Sequence, residues 1–142
     1  MSDLRQERHV TDQREALLVC NDLIFQSKIV GTARELGLAM RVVPTPRQAI
    51  ATIGDQTCLA IVDLADHAAT SPDILAQLRT TLPEDATLLA YGSHVDVDHL
   101  RAARAAGCDP VLPRSDFTAR LVEILNGAVQ SDDPANADSA DS

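Results

Sequence analysis

Cys58-Leu59-Ala60-Ile61-Val62-Asp63 decides how this chain folds. A short unbroken apolar run, bounded by polar residues, predicts a strand buried on both faces, as in parallel sheets covered by helices. The aspartate directly after the run then lies at the carboxyl end of that strand. In open α/β sheets ligands and chemistry collect beyond that end, in the crevice where the strand order reverses. Leu17-Leu18-Val19-Cys20-Asn21-Asp22 repeats the pattern, so Asp22 and Asp63 are both expected at one crevice.

Outward from these runs, strand and helix alternate five times. Ala16 to Cys20 is the first strand, followed by a helix near Ile24 to Leu36 with Phe25, Ile29, Ala33 and Leu36 on one face. Gly37 ends that helix at a left-handed cap position. Ala39 to Val43 is the second strand, and Thr45-Pro46-Arg47-Gln48 supplies the N-cap, first-turn proline and capping-box partner of a short helix to about Ile53. After the third strand, Cys58 to Val62, Ser71-Pro72 starts a helix that ends near Leu82-Pro83. Thr87 to Tyr91 is the fourth strand and Gly92-Ser93-His94 a turn. A helix from about Val97 to Ala106 turns Leu100 and Ala103 inward and stops at Gly107. Val111-Leu112 is a short fifth strand, and Ser115 is expected to cap a last helix with the stripe Phe117, Leu121, Ile124 and Ala128. Short connections and right-handed parallel crossovers make this a doubly wound three-layer α/β sandwich, flavodoxin-like, with strand order 2-1-3-4-5.

Composition narrows the function classes. The 142 residues, 45% hydrophobic, suit one domain, expected over residues 16–130. Residues 1–15 read as a polar arm, and residues 131–142, with nothing apolar larger than alanine, as a disordered acidic tail. With no bilayer-length apolar stretch and no apolar leader near Met1, a cytoplasmic, membrane-free protein is expected. A net charge of -9 argues against sequence-independent nucleic-acid binding, and 2% aromatic residues leave little for base stacking or flavin binding. Cys20, Cys58 and Cys108 are odd in number and read as small buried residues rather than disulfide partners. His9, His67, His94 and His99 are scattered without metal-ligand spacing. No Gly-x-Gly-x-x-Gly and no spaced nucleophile and base occur, so no enzyme is expected.

From Ala16 to Val129 the chain resembles the receiver domain of bacterial two-component response regulators. In that family an acidic pair follows the first strand, a phosphorylatable aspartate ends the third, a Ser or Thr ends the fourth and a Lys-Pro ends the fifth. Asn21-Asp22 falls on the acidic pair and Asp63 on the phosphoacceptor. Gly92-Ser93-His94-Val95-Asp96-Val97-Asp98, then Ala106-Gly107-Cys108-Asp109-Pro110-Val111-Leu112-Pro113-Arg114-Ser115, runs without gaps along the family pattern. The chemistry departs from it at four places. Asn21 replaces the first acid, Gly92 the switch hydroxyl, Arg114 the lysine and Ser115 the proline. Glycine offers no hydroxyl to a phosphoryl oxygen, although Ser93 is adjacent. Arginine is longer and forked where lysine is compact. The resemblance implies a magnesium site at Asn21, Asp22 and Asp63, weakened because only two carboxylates remain.

Alone, Asp22 reads as a helix-terminal acid favoured by the dipole. Asp63 follows a buried run and needs a partner for its charge, for which Arg114 is the candidate. Receivers commonly dimerise or dock through the fourth helix, fifth strand and fifth helix, which marks Arg101, Arg104 and Arg120 as a partner surface. Three functions compete. One is a stand-alone receiver phosphorylated on Asp63 by a histidine kinase or small phosphodonor, acting on a downstream protein because no output domain is expected. The second is a pseudo-receiver that docks constitutively. The third is a small-molecule or anion-binding domain using the same crevice.

Overall fold

The computed structural model describes residues 14–130, so the expectations for the arm and tail lie almost entirely outside it. Five strands run through the middle: β1 Glu15–Val19, β2 Ala39–Val43, β3 Thr57–Asp63, β4 Thr87–Gly92 and β5 Val111–Pro113. They pair in parallel in the order β2-β1-β3-β4-β5, as expected. Among the described residues six helices cover the two faces: α1 Leu23–Glu35, α2 Pro46–Thr52, α3 Pro72–Thr81, α4 Val97–Ala106, α5 Arg114–Ala119 and α6 Leu121–Gln130.

The alternation of each strand splits the core in two. Leu17, Val19, Ala60, Val62, Leu88 and Ala90 face Ala49 of α2, Leu75 and Leu78 of α3 and Ala103 of α4. Ala16, Leu18, Cys20, Leu59, Ile61, Leu89 and Tyr91 face Ile29 and Ala33 of α1, Phe117 of α5 and Leu121 and Leu125 of α6. β3, between two neighbours and two helix layers, is buried from Thr57 to Val62, and only Asp63 at its end reaches partial exposure. Each fully buried leucine here contributes about 1.5–3 kcal/mol of transfer free energy.

The punctuation is local chemistry. Gly37 and Gly107 take positive φ, 80° and 119°, at the ends of α1 and α4. At Gly107 the need is also steric, because a Cβ would stand 2.9 Å from Cγ of Arg79. That arginine uses its own guanidinium to close two carbonyls, Ala86 O at 2.9 Å and Pro83 O at 2.8 Å. Thr45 caps α2, accepting from the Gln48 amide at 3.2 Å; its hydroxyl also meets Oε1 of Gln48, so the glutamine answers the side chain of Thr45.

The last helix departs from expectation. Ser115 is not its cap; Pro113 holds that position and α5 starts directly at Arg114. Proline has no N–H to leave unsatisfied ahead of a first turn, so strand and helix abut without a loop. The helix then breaks at Arg120 (φ -106°, ψ 12°) before α6, while Phe117 and Leu121 remain buried on the same side. Arg114 thereby becomes the first helical residue at the crevice.

Candidate functional site at the carboxyl edge of the sheet

Asp63 ends β3 with both carboxylate oxygens engaged. Oδ1 accepts the Ala65 amide at 2.9 Å, which turns the chain out of the strand. Oδ2 faces the thiol of Cys20 at 3.7 Å. Register explains this neighbour: Val19 pairs with Val62, so the next residue on each strand brings Cys20 level with Asp63. On the other side Asp63 pairs with Tyr91, whose hydroxyl donates to Sγ of Cys20 at 3.6 Å. Burial is the main cause that raises the pKa of both Cys20 and Tyr91, so Asp63 is flanked by a protonated thiol and, beyond it, a protonated phenol.

Asp22 is the N-cap of α1. Its Oδ1 accepts the amides of Ile24 and Phe25, each at 3.1 Å, satisfying two of the orphan donors of the first turn. Its Oδ2 accepts Nη2 of Arg114 at 3.0 Å. The Phe25 amide and then Arg114 hold the Asp22 carboxyl below its ordinary range, and Asp22 in turn raises Arg114. The expected partner of Arg114 was Asp63, and this is corrected: the ion pair is Arg114 with Asp22. The reason lies beneath the guanidinium. Its carbon sits 4.3 Å from the centre of the Phe25 ring, and a planar fork stacked there reaches the cap of the helix that carries Phe25.

That ring belongs to a cluster invisible in a composition so poor in aromatics. The single tyrosine and both phenylalanines meet here: Tyr91 stacks on Phe117 at 4.5 Å, and Phe25 stands edge-on to both, at 5.4 Å and 6.1 Å. No spacing rule joins residues 25, 91 and 117. Each is close in sequence to a crevice segment, but that hint selects many other residues too.

The candidate metal ligands Asn21, Asp22 and Asp63 border one small cavity, but most of their polar atoms are already engaged. Asn21 turns away and donates from Nδ2 to the Pro44 carbonyl at 3.1 Å. Asp22 is taken up by the helix cap and Arg114, and the position level with Asp63 holds a soft, protonated thiol. A hard divalent cation takes several free oxygen ligands, and with Arg114 on Asp22 this donor set does not fit one. Among the described residues no three His, Cys, Asp or Glu side chains converge as a metal site.

Gly92 ends β4 in a space already filled, since a Cβ there would lie 3.2 Å from Cβ of Leu64 and 3.3 Å from Cδ2 of Leu100. Ser93 is exposed and its hydroxyl faces the Val95 amide at 3.4 Å. A cavity of about 780 Å³ opens beside them, lined among others by Asp63, Tyr91, Ser93, His94 and Arg114. A smaller one of about 140 Å³ lies on the other side of Asp63, against Asn21, Asp22 and Arg114. Sequence pattern did not reveal a histidine clasp next to the crevice. His67 and His99 stack at 4.2 Å, His67 pairs with Asp96 at 3.1 Å, and His99 meets the Thr70 hydroxyl at 3.0 Å. Arg101 and Arg120 make exposed ion pairs with Asp98 (4.0 Å) and Glu123 (3.7 Å), and Arg104 reaches the Val111 carbonyl at 3.4 Å.

No family model matches the chain, and no curated protein does. Solved structures do. The beryllofluoride-activated NtrC4 receiver domain dimer superposes with a TM-score of 0.67 at 16% identity, covering 83% of this chain and 98% of that one. A Burkholderia pseudomallei response regulator solved with a phosphorylated aspartic acid, a calcium ion and citrate gives 0.63 at 16% identity, covering 87% and 74%. The receiver domain of a Saccharomyces cerevisiae response regulator, co-crystallised with a histidine phosphotransfer signalling protein, gives 0.63 at 15%, covering 78% and 88%. The chain therefore has the fold of a response-regulator receiver domain.

Proposed function

We propose that this chain is a receiver-fold signalling module of two-component or phosphorelay type that acts by docking to another protein, a pseudo-receiver rather than an enzyme. The observation that carries this reading is the Arg114–Asp22 ion pair, which engages the one arginine lining the crevice among the described residues and one of the two carboxylates that end the first and third strand segments. With Gly92 closely packed against Leu64 and Leu100, a side chain there would have to push these leucines aside, and among the described residues the crevice arginine is already paired when a new phosphoryl charge would need it. Docking then falls to the surface of α4, β5, α5 and α6, where Arg101, Arg104 and Arg120 are exposed, with a histidine kinase, a downstream protein or a second copy of this chain as partner. The dimer and the phosphotransfer complex among its structural neighbours support protein contact as the mode of action. Among the described residues no helix is long and apolar enough to cross a membrane, in keeping with a cytoplasmic role.

One observation favours the second reading, a working receiver. Asp63 is only half-buried at the lip of the larger cavity, and one of its oxygens meets nothing stronger than a thiol. The deciding experiment is intact mass after incubation with acetyl phosphate and magnesium, with Asp63→Asn alongside. Unchanged mass in both folded proteins is the expected result. One added phosphoryl group in the parent, missing from the variant, would establish phosphorylation on Asp63 instead. An unidentified small ligand carried through purification would point to the anion-binding alternative.

A further inference from the structure

We infer that the guanidinium of Arg114 is the resident cation of this crevice and keeps divalent metal out of it. The argument starts from where each oxygen goes. Of the two aspartates at the sheet edge, Asp22 gives Oδ1 to the Ile24 and Phe25 amides and Oδ2 to Arg114. Asp63 gives Oδ1 to Ala65 and holds Oδ2 against the Cys20 thiol. Two carboxylates that line one small cavity are stabilised by a positive charge near both. Arg114 is in contact with one, lines both cavities that Asp63 lines, and feels the charge of each.

Its position is fixed three ways. The backbone is the first residue of α5, directly after β5. The planar group rests on Phe25 at 4.3 Å, and Phe25 is locked edge-on against Tyr91 and Phe117. The fork is anchored by Asp22 at 3.0 Å. A metal ion entering the smaller cavity would have to displace the Nη2–Oδ2 contact and lift the guanidinium from its ring. It would find in exchange a thiol beside Asp63 and an Asn21 side chain oriented by its Nδ2 bond to Pro44. Arginine carries its charge at every accessible pH, so it offsets one of the crevice's negative charges without regard to metal concentration.

This concerns the same crevice as the proposed function but does not require that Asp63 be unphosphorylated. Its test uses the metal alone, without a phosphodonor, so the two readings fail separately. Manganese is titrated into the full chain while amide resonances are followed by NMR, for the parent, Arg114→Ala, and Arg114→Ala combined with Asp63→Asn. In the parent no selective broadening of Asp22, Asp63 or Ala65 is expected through millimolar manganese. Arg114→Ala should gain selective broadening of those three resonances, at least tenfold lower in metal concentration, and the double variant should lose it. The amide spectrum of each variant shows whether it is folded, and Arg114→Lys serves where Arg114→Ala is not. Lysine keeps the charge but loses the stacked fork, so it should fall between the parent and the alanine variant. Selective broadening in the parent comparable to that in Arg114→Ala would overturn the inference. So would an Arg114→Ala protein, or in its place Arg114→Lys, that is folded yet as indifferent to manganese as the parent.

Discussion

The two faces of the sheet are built from different material. Under α2, α3 and α4 the core is aliphatic, with Leu17, Leu75, Leu78 and Leu88 fully buried and no aromatic ring. Under α1, α5 and α6 it contains every aromatic residue of the chain together with Cys20, and it ends directly beneath Asp63 and Arg114. Aliphatic packing is tolerant of volume-conserving change. Stacked rings are directional, and here they set the height of a guanidinium over a carboxylate. One face therefore supplies stability and, through Leu64 and Leu100, the steric limit at Gly92, whereas the other converts packing into the electrostatics of the crevice.

The largest expected effect breaks this contrast if it is false. Phe117→Ala should cost about 3–5 kcal/mol and Leu75→Ala about 2–5 kcal/mol in urea unfolding. Only the first should also shift the Arg114 and Asp22 resonances under native conditions. Equal disturbance of the crevice by Leu75→Ala would remove the distinction between the faces.

Next comes Gly92→Thr, which restores a hydroxyl where receivers carry one. The added Cβ meets Leu64 and Leu100 at 3.2 Å and 3.3 Å, so overpacking should cost about 1–3 kcal/mol. A variant as stable as the parent would show that these two leucines yield easily. Tyr91→Phe sharpens the comparison from the other side. It deletes a hydroxyl whose partner is a weakly accepting sulfur while keeping both ring contacts, so the loss should be about 1 kcal/mol or less by the same measurement.

The smallest effect is in pH. Burial first, and then the neighbouring His67, lower the pKa of His99 below its ordinary 6.5, while Asp96 opposes. The folded chain thus binds fewer protons at this ring than the unfolded one. Its contribution is constant above about pH 6.5 and falls as the pH drops below that value, until the folded ring also protonates. His99→Gln should flatten the stability curve in that acidic window and leave its slope unchanged above pH 7. A parent curve already flat there would mean that the clasp does not discriminate between protonation states.

Much of the fold was legible because its determinants are short-range. Apolar runs, Gly37, Gly107 and the Thr45-Pro46 start each act within a few residues, and the strand order agrees with the flavodoxin-like arrangement expected for such alternation. The boundary at Ser115 was misplaced because serine is a strong cap by itself, and the adjoining Pro113 had already started the helix. The location of Asp22 and Asp63 at one edge was legible for the same reason, as the carboxyl ends of parallel strands lie together.

The partners within that edge were not. The amino-acid sequence by itself determined the doubly wound sheet, its strand order and the gathering of Asp22, Asp63, Gly92 and Arg114 at one crevice. Only the tertiary structure decided that Arg114 takes Asp22, that Cys20 stands beside Asp63 and that three distant rings form the floor. Periodicity fixes which face a side chain points to, but the choice among neighbours a few ångströms apart depends on strand register, on the helix start at Arg114 and on the reach of a stacked guanidinium. Those become defined only when segments 92 residues apart in sequence are packed together.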